Sequence, residues 1–173
     1  LKKPPSRVRE PRPTPCGVLT AALSVAEPRT KLMLILGSTL GLRIGEIVRV
    51  HVDDVEFEVD GPVLRVLGKG NKRRSVPLTD SFAEELVAWC QQHGGWAFPS
   101  QRGGHLKSHS ASALVDAVLP APWTAHTLRH RFATRAYAVE RDILTLQRRP
   151  DVDGSGPGVR AVTRERSIDA LGG

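Results

Sequence analysis

The sequence predicts a mainly α chain with a small antiparallel β-sheet, an α+β fold, and three observations carry that expectation. Apolar residues recur at helical spacing through PRTKLMLILGSTLG (28–41) and again through 80–92. Between 55 and 78 the period drops to two, in VEFEV (55–59), VLRVL (63–67) and RRSVPL (73–78), with the turn-rich GKGNK before the last. Of the 173 residues, 40% are hydrophobic and 25% charged, which suits one domain with a real core.

The elements follow in order. LKKPPSRVREPRPTP (1–15) holds five prolines and five basic residues, so 1–13 reads as an extended basic Pro-rich linker. Order begins near Thr14, placed to cap a short helix over VLTAALSVA that ends at Pro28. Residues 28–41 are the candidate central buried helix, and GLRIGEIVRV adds a further turn or two after a glycine break. The strands of 55–78 make a small sheet ending in a hairpin. Thr79 or Asp80 caps a helix through Gln92, with Phe82, Leu86 and Trp89 on one face. Residues 93–108 are loop-like, SASALVDAVL is a short helix, 124–139 a longer one and 140–147 one more. Folded sequence is therefore expected over 14–147. Beyond it RRPDVDGSGPG has three glycines, two prolines and no apolar residue except Val152; VRAVTRERSIDALGG then has the pattern of a last helix. The tail, 148–173, is divergent in character.

Charge and cysteine content narrow the function. Twenty-five Lys and Arg against 18 Asp and Glu give a net charge of +7. That balance suits a polyanion partner, most commonly nucleic acid, and a basic but inert surface is the even alternative. Cys16 and Cys90 offer no framework of bridges and no zinc spacing, and each is expected as a buried reduced thiol of a cytoplasmic protein. The longest apolar run, LMLILG (32–37), is far shorter than the roughly 18 residues of a membrane span. No metal, cofactor or membrane partner is expected. A chain beginning at Leu1 reads as a cut piece of something longer.

Three constellations carry chemistry. In GLRIGEI (41–47), Arg43 lies in an apolar segment and needs an anion or carboxylate; Glu46, three residues on, can hold it, or the two form a mere surface pair. In GKGNKRR (68–74), Lys69 sits between glycines where it can reach a phosphate oxygen, or is a solvated basic turn. It is no Walker loop, since Val63 stands where the first glycine belongs. In HTLRH (126–130), His126 and Arg129 lie one helical turn apart, with a guanidinium suited to bidentate phosphate contact. His126 and His130 are at i,i+4, but Thr127 replaces the glutamate of the HExxH zinc pattern. A structural histidine and a capping Thr124 are the alternatives there.

Taken together, TLGLRIGEI, RVLGKGNKRRSVPL and HTLRHRFATRAY resemble the arginine box, hairpin lysine and HxxR box of the tyrosine recombinases, the phage-type integrases. HVDDV (51–55) and WAFPS (96–100) are similar too, and the resemblance runs from about Thr14 to Gln147. Type IB topoisomerases share the chemistry, but this text looks like integrases. The resemblance implies that family's catalytic-domain fold, with an atypical C-terminal segment. It implies strand cutting by a tyrosine through a 3′-phosphotyrosyl intermediate, resolved by the 5′-hydroxyl of a partner strand. On this carry-over Arg43 and Arg129 cradle the non-bridging oxygens, Lys69 protonates the leaving 5′-oxygen, and His126 donates to the phosphate or assists proton transfer. Glu46 orients Arg43, while Lys72, Arg73, Arg74 and Arg131 contact DNA. The implied partner is a double-stranded DNA recombination site, bound by a family-type oligomer, a tetramer on two sites.

The pattern breaks after Gln147. The family continues with an LLGH-like segment carrying a histidine or tryptophan, then the nucleophilic tyrosine; 148–173 contains no His, Trp or Tyr. Tyr137, the single tyrosine, stands eight residues past Arg129, about 12 Å of helical rise, and reads as packing. The nucleophile is thus unknown, and the chain alone is expected to be inactive in cutting. The rival readings are a non-catalytic DNA-binding module or integrase relic, and a partner protomer lending its tyrosine. VRAVTRERSIDAL is similar to the helix that follows the family's nucleophile, so a local frame change or deletion is the hypothesis, leaving the core open on one side. Residues 1–13 resemble only the linker of the family's N-terminal clamp domain.

Overall fold

The computed structural model describes residues 13–147. The linker expected before Thr14 (save its last residue) and the tail expected over 148–173 lie outside these residues. Within them the element order is α1 (Cys16–Val25), α2 (Pro28–Thr39), α3 (Ile44–Ile47), β1 (Val55–Glu58), β2 (Gly61–Leu67), β3 (Arg73–Pro77), α4 (Asp80–Gln92), α5 (Ser108–Val118) and α6 (Ala125–Gln147).

Helix α2 is the hub. Pro28 opens it, where a fixed φ helps and the missing N–H costs nothing. Met33, Leu34 and Leu36 are fully buried, and they sit on more than one face because α1, α3, α5 and α6 all pack on this helix. Gly37 lets α6 come close: a Cβ there would meet the Leu128 side chain at 3.5 Å. Fully burying Leu128 contributes on the order of 2 kcal/mol.

The sheet is a meander in the order β1-β2-β3, antiparallel throughout, with Val55 and Val76 flanking Leu64. Alternation along β2 buries Pro62, Leu64 and Val66 on one face, which α4 covers. On the other face Arg65 bonds Glu56, Glu58 and Ser75 across the strands. Among the described residues the core cluster of buried apolar side chains runs from Ala22 through Phe98 to Leu128.

Five local expectations change. Thr14 does not cap α1: Pro15 is the N-cap, while Thr14 is buried with its hydroxyl 2.8 Å from that of Thr127. Residues 125–147 form one helix of 23 residues rather than two, since nothing between them breaks a helix and the charged run ERD is helix-compatible. Cys16 is exposed; Cys90 alone is buried, and burial together with the Asp54 charge pushes its thiol up to about 11. Tyr137 is 63% exposed and so is not a packing residue of the core. On α4, Thr79 does cap, accepting from the Phe82 N–H, but the fully buried face is Ala83, Leu86 and Cys90; Phe82 and Trp89 flank it. Among the described residues no helix is long and apolar enough to cross a membrane.

Candidate phosphate cleft

The site starts at the exit of α2. Leu40 closes the helix, and Gly41 turns the chain with φ +65°, a conformation L side chains rarely adopt. The Phe132 ring of α6 is packed against Gly41 so closely that an added Cβ would run into it. The turn buries Leu42 and delivers Arg43, in extended conformation, to the N-cap of α3.

Glu46 completes that cap and does more. Its carboxylate accepts from the Arg43 backbone N–H at 2.9 Å and from the Arg43 guanidinium at 3.1 Å. Arg74, on β3, gives it two further bonds of 2.9 and 2.8 Å in the fork geometry that suits a carboxylate. The Glu46 side chain is only 6% exposed. Burial alone would raise its pKa; the bonds from Arg74 and Arg43 and the Arg74 charge outweigh that and bring it down to about 2. The bond to Glu46 in turn raises the pKa of Arg74 above its ordinary range, against burial.

Arg129 enters from α6, its guanidinium bonded to the carbonyl of Gly41. Burial lowers its pKa, and the neighbouring Arg43 and Arg74 charges add to that while Glu46 opposes it. These arginines therefore share one electrostatic neighbourhood. Arg43, Arg129 and His126 line a single cleft of about 350 Å³, walled also by Ser112 and Asp116 of α5 and by Thr124. The Arg43 side chain is 55% exposed, so its guanidinium is accessible although Glu46 orients it. His126 is exposed, and its ring meets His130 one turn on, with Nε2 to Nε2 at 2.8 Å.

The other sequence-derived candidates fall in different places. Lys69 starts a single 3-10 turn, Lys69–Asn71, between β2 and β3, with Gly70 and Asn71 both at positive φ. The hairpin closes through Gly68 N–H to the Lys72 carbonyl at 2.8 Å, and Gly68 lies against the Glu46–Arg74 pair. Lys72 and Arg73 are exposed on this hairpin. Arg74, expected on DNA, is committed to Glu46. Arg131 donates to the Thr14 carbonyl at 2.9 Å and ties the start of the described chain to α6. Sequence reading missed the Glu46–Arg74 pair, the seat of Phe132 on Gly41 and the α5 wall of the cleft. None had a sequence signal, because each joins segments far apart in the chain. The His126–His130 contact did have one in its i,i+4 spacing.

Residues 18–150 match the family described as Phage integrase family. Tyrosine recombinase XerD of Pseudomonas putida is 35% identical over 141 residues, which cover 69% of this chain and 44% of the relative. The chain thus spans less than half the length of that relative. Among solved structures, the integrase from mycobacterium phage Brujita is 30% identical with a TM-score of 0.61, over 84% of this chain and 50% of that one. The lambda integrase (residues 75–356) bound to DNA is similar at 21% identity and a TM-score of 0.59, over 83% of this chain and 56% of that one, a likeness of fold alone.

Proposed function

This chain belongs to the phage integrase family, and from that premise we propose that it is the catalytic-domain part of a site-specific tyrosine recombinase acting on double-stranded DNA. One observation carries the reading: Arg43 of the α2–α3 turn and Arg129 and His126 of α6 converge on one accessible cleft. A phosphodiester is a tetrahedral monoanion that gains charge on its non-bridging oxygens as a nucleophile adds. Two guanidiniums and an imidazole held in advance stabilise that charge without a metal. Arg43 and Arg129 take the non-bridging oxygens and His126 donates to the phosphate. Lys69, on the hairpin that abuts Glu46, protonates the leaving 5′-oxygen. Glu46 and Arg74 act on Arg43 and never touch the substrate. Lys72 and Arg73 add contacts to the DNA backbone, whereas Arg131, expected there too, is engaged by the Thr14 carbonyl; the active assembly is an oligomer on paired sites.

A second reading is that this chain holds DNA and does not cut it. It is favoured by the place of Tyr137, the single tyrosine of the sequence, about two turns of α6 beyond Arg129. A tyrosine lent by a partner protomer would restore cutting. The experiment is a pool of nicked suicide duplexes incubated with the chain, run on a denaturing gel for covalent adduct and on native gels at rising salt. Cleavage in this chain predicts an adduct lost in Arg43→Ala and Arg129→Ala. A salt-sensitive complex without adduct supports the second reading, and addition of a tyrosine-bearing family member then tests the lent nucleophile. No complex at low salt would overturn both.

A further inference from the structure

The histidine of the cleft is not alone. His126 and His130 stand edge to face on α6, ring centroids 4.3 Å apart, and their Nε2 atoms approach to 2.8 Å. Two imidazole nitrogens at that distance share a single proton, one ring donating and the other accepting through its lone pair. Whichever way the proton lies, Nε2 of His126 is taken and Nδ1 is the nitrogen left over.

Resting on the reading of the cleft as a phosphate site, we infer that His130 is a positioning residue, which occupies Nε2 of His126 and makes Nδ1 the nitrogen that His126 offers to a phosphate. A phosphate oxygen accepts hydrogen bonds, so it selects the arrangement in which His130 donates and His126 carries its hydrogen at Nδ1. The reverse arrangement would aim a bare lone pair at the anion. The surroundings suit a pair holding one shared proton. Burial, His126 and Arg129 all push His130 below the usual imidazole range, which keeps its ring neutral at neutral pH. The other charged groups on the cleft are Arg43 beside α3 and Asp116 on α5. Neither belongs to the pair, so the hydrogen between the two Nε2 atoms is shared within α6 and a bound phosphate selects which ring carries it.

The test uses the full chain with ¹⁵N-labelled histidine. Long-range ¹H–¹⁵N spectra report which nitrogen of His126 is protonated, before and during titration with inorganic phosphate. The expected result is an Nδ1-protonated His126 in the phosphate-bound parent chain. In His130→Phe it reverts to the Nε2-protonated form that a free neutral imidazole favours, and phosphate binds about threefold more weakly, the loss of one hydrogen bond's orientation. His130→Gln, whose amide can still donate to Nε2, restores the parent tautomer; the reporter in both variants is the protonation pattern of His126, which lost packing would not invert. An Nε2-protonated His126 in the phosphate-bound parent, or a tautomer unchanged in His130→Phe, would overturn the role of His130 while leaving the cleft reading intact. A parent chain whose His126 and His130 signals ignore phosphate would instead overturn the cleft reading, and the role of His130 with it.

Discussion

The two walls of the cleft are built on opposite terms. On the α3 side, Arg43 is held by a buried carboxylate that also grips Arg74 of β3, so the wall joins a turn, a short helix and the sheet through one group. On the α6 side, Arg129 leans on a backbone carbonyl and His126 on the half-buried His130 of the same helix. The first wall is oriented before any ligand arrives. The second is oriented mainly by the helix that carries it. Orientation of the cleft side chains and fold stability are thus coupled on one side of the cleft and nearly independent on the other.

The sharpest way to break that contrast is to remove the shared carboxylate. Glu46→Ala strands two guanidiniums, and unfolding in urea should register a loss of about 3 kcal/mol, at the low end for a broken buried pair because both arginines still reach solvent. A loss within error would mean that the α3 wall is no more integral than the α6 wall. Next comes the seat between the walls: Gly41→Ala combines positive φ with a collision with Phe132 and should cost roughly 2 kcal/mol. Both walls should suffer together, which NMR shifts of Arg43 and Arg129 would register.

Acid separates the walls more gently. The Glu46 carboxyl titrates near 2 in the folded chain against an ordinary 4.5, so the folded state binds fewer protons than the unfolded one in between. Its contribution is present above about pH 4.5 and is lost as pH falls toward 2, and Glu46→Gln should flatten that part of the stability profile. On the α6 wall the same sign holds for His130, whose depressed pKa makes its neutral form the folded one. His126→Ala should raise the His130 midpoint as followed by NMR, with no measurable change in urea midpoint at pH 8. The smallest structural effect belongs outside the cleft. Lys72→Ala and Arg73→Ala should each change stability by less than about 0.5 kcal/mol. Each should nonetheless reduce the salt slope of DNA binding by about one. A larger destabilisation would mean the hairpin is braced by more than the Gly68–Lys72 closure.

Much of the fold was legible because its signals are local. The alternation of VLRVL announced β2, and the apolar density of LMLIL announced a helix buried on several faces. Local grammar failed where neighbours outvoted it. Thr14 has the chemistry of a cap, yet Thr127 offered its hydroxyl a better-shielded partner. Residues 140–147 read as a separate helix, but no Gly or Pro was there to stop α6.

The amino-acid order by itself determined the alternation of helix and strand, the Arg43–Glu46 pair, the His126–Arg129 spacing and the excess of positive charge. Each of these depends on residues within a turn or two of one another, where backbone periodicity sets the distance. Only the tertiary structure decided that Arg74 serves Glu46, that Arg131 holds the Thr14 carbonyl, and that Phe132 seats the Gly41 turn beneath Arg129. Those contacts depend on the register of β2 with β3 and on how α6 crosses α2, and both are settled by which apolar faces bury against each other over the whole chain.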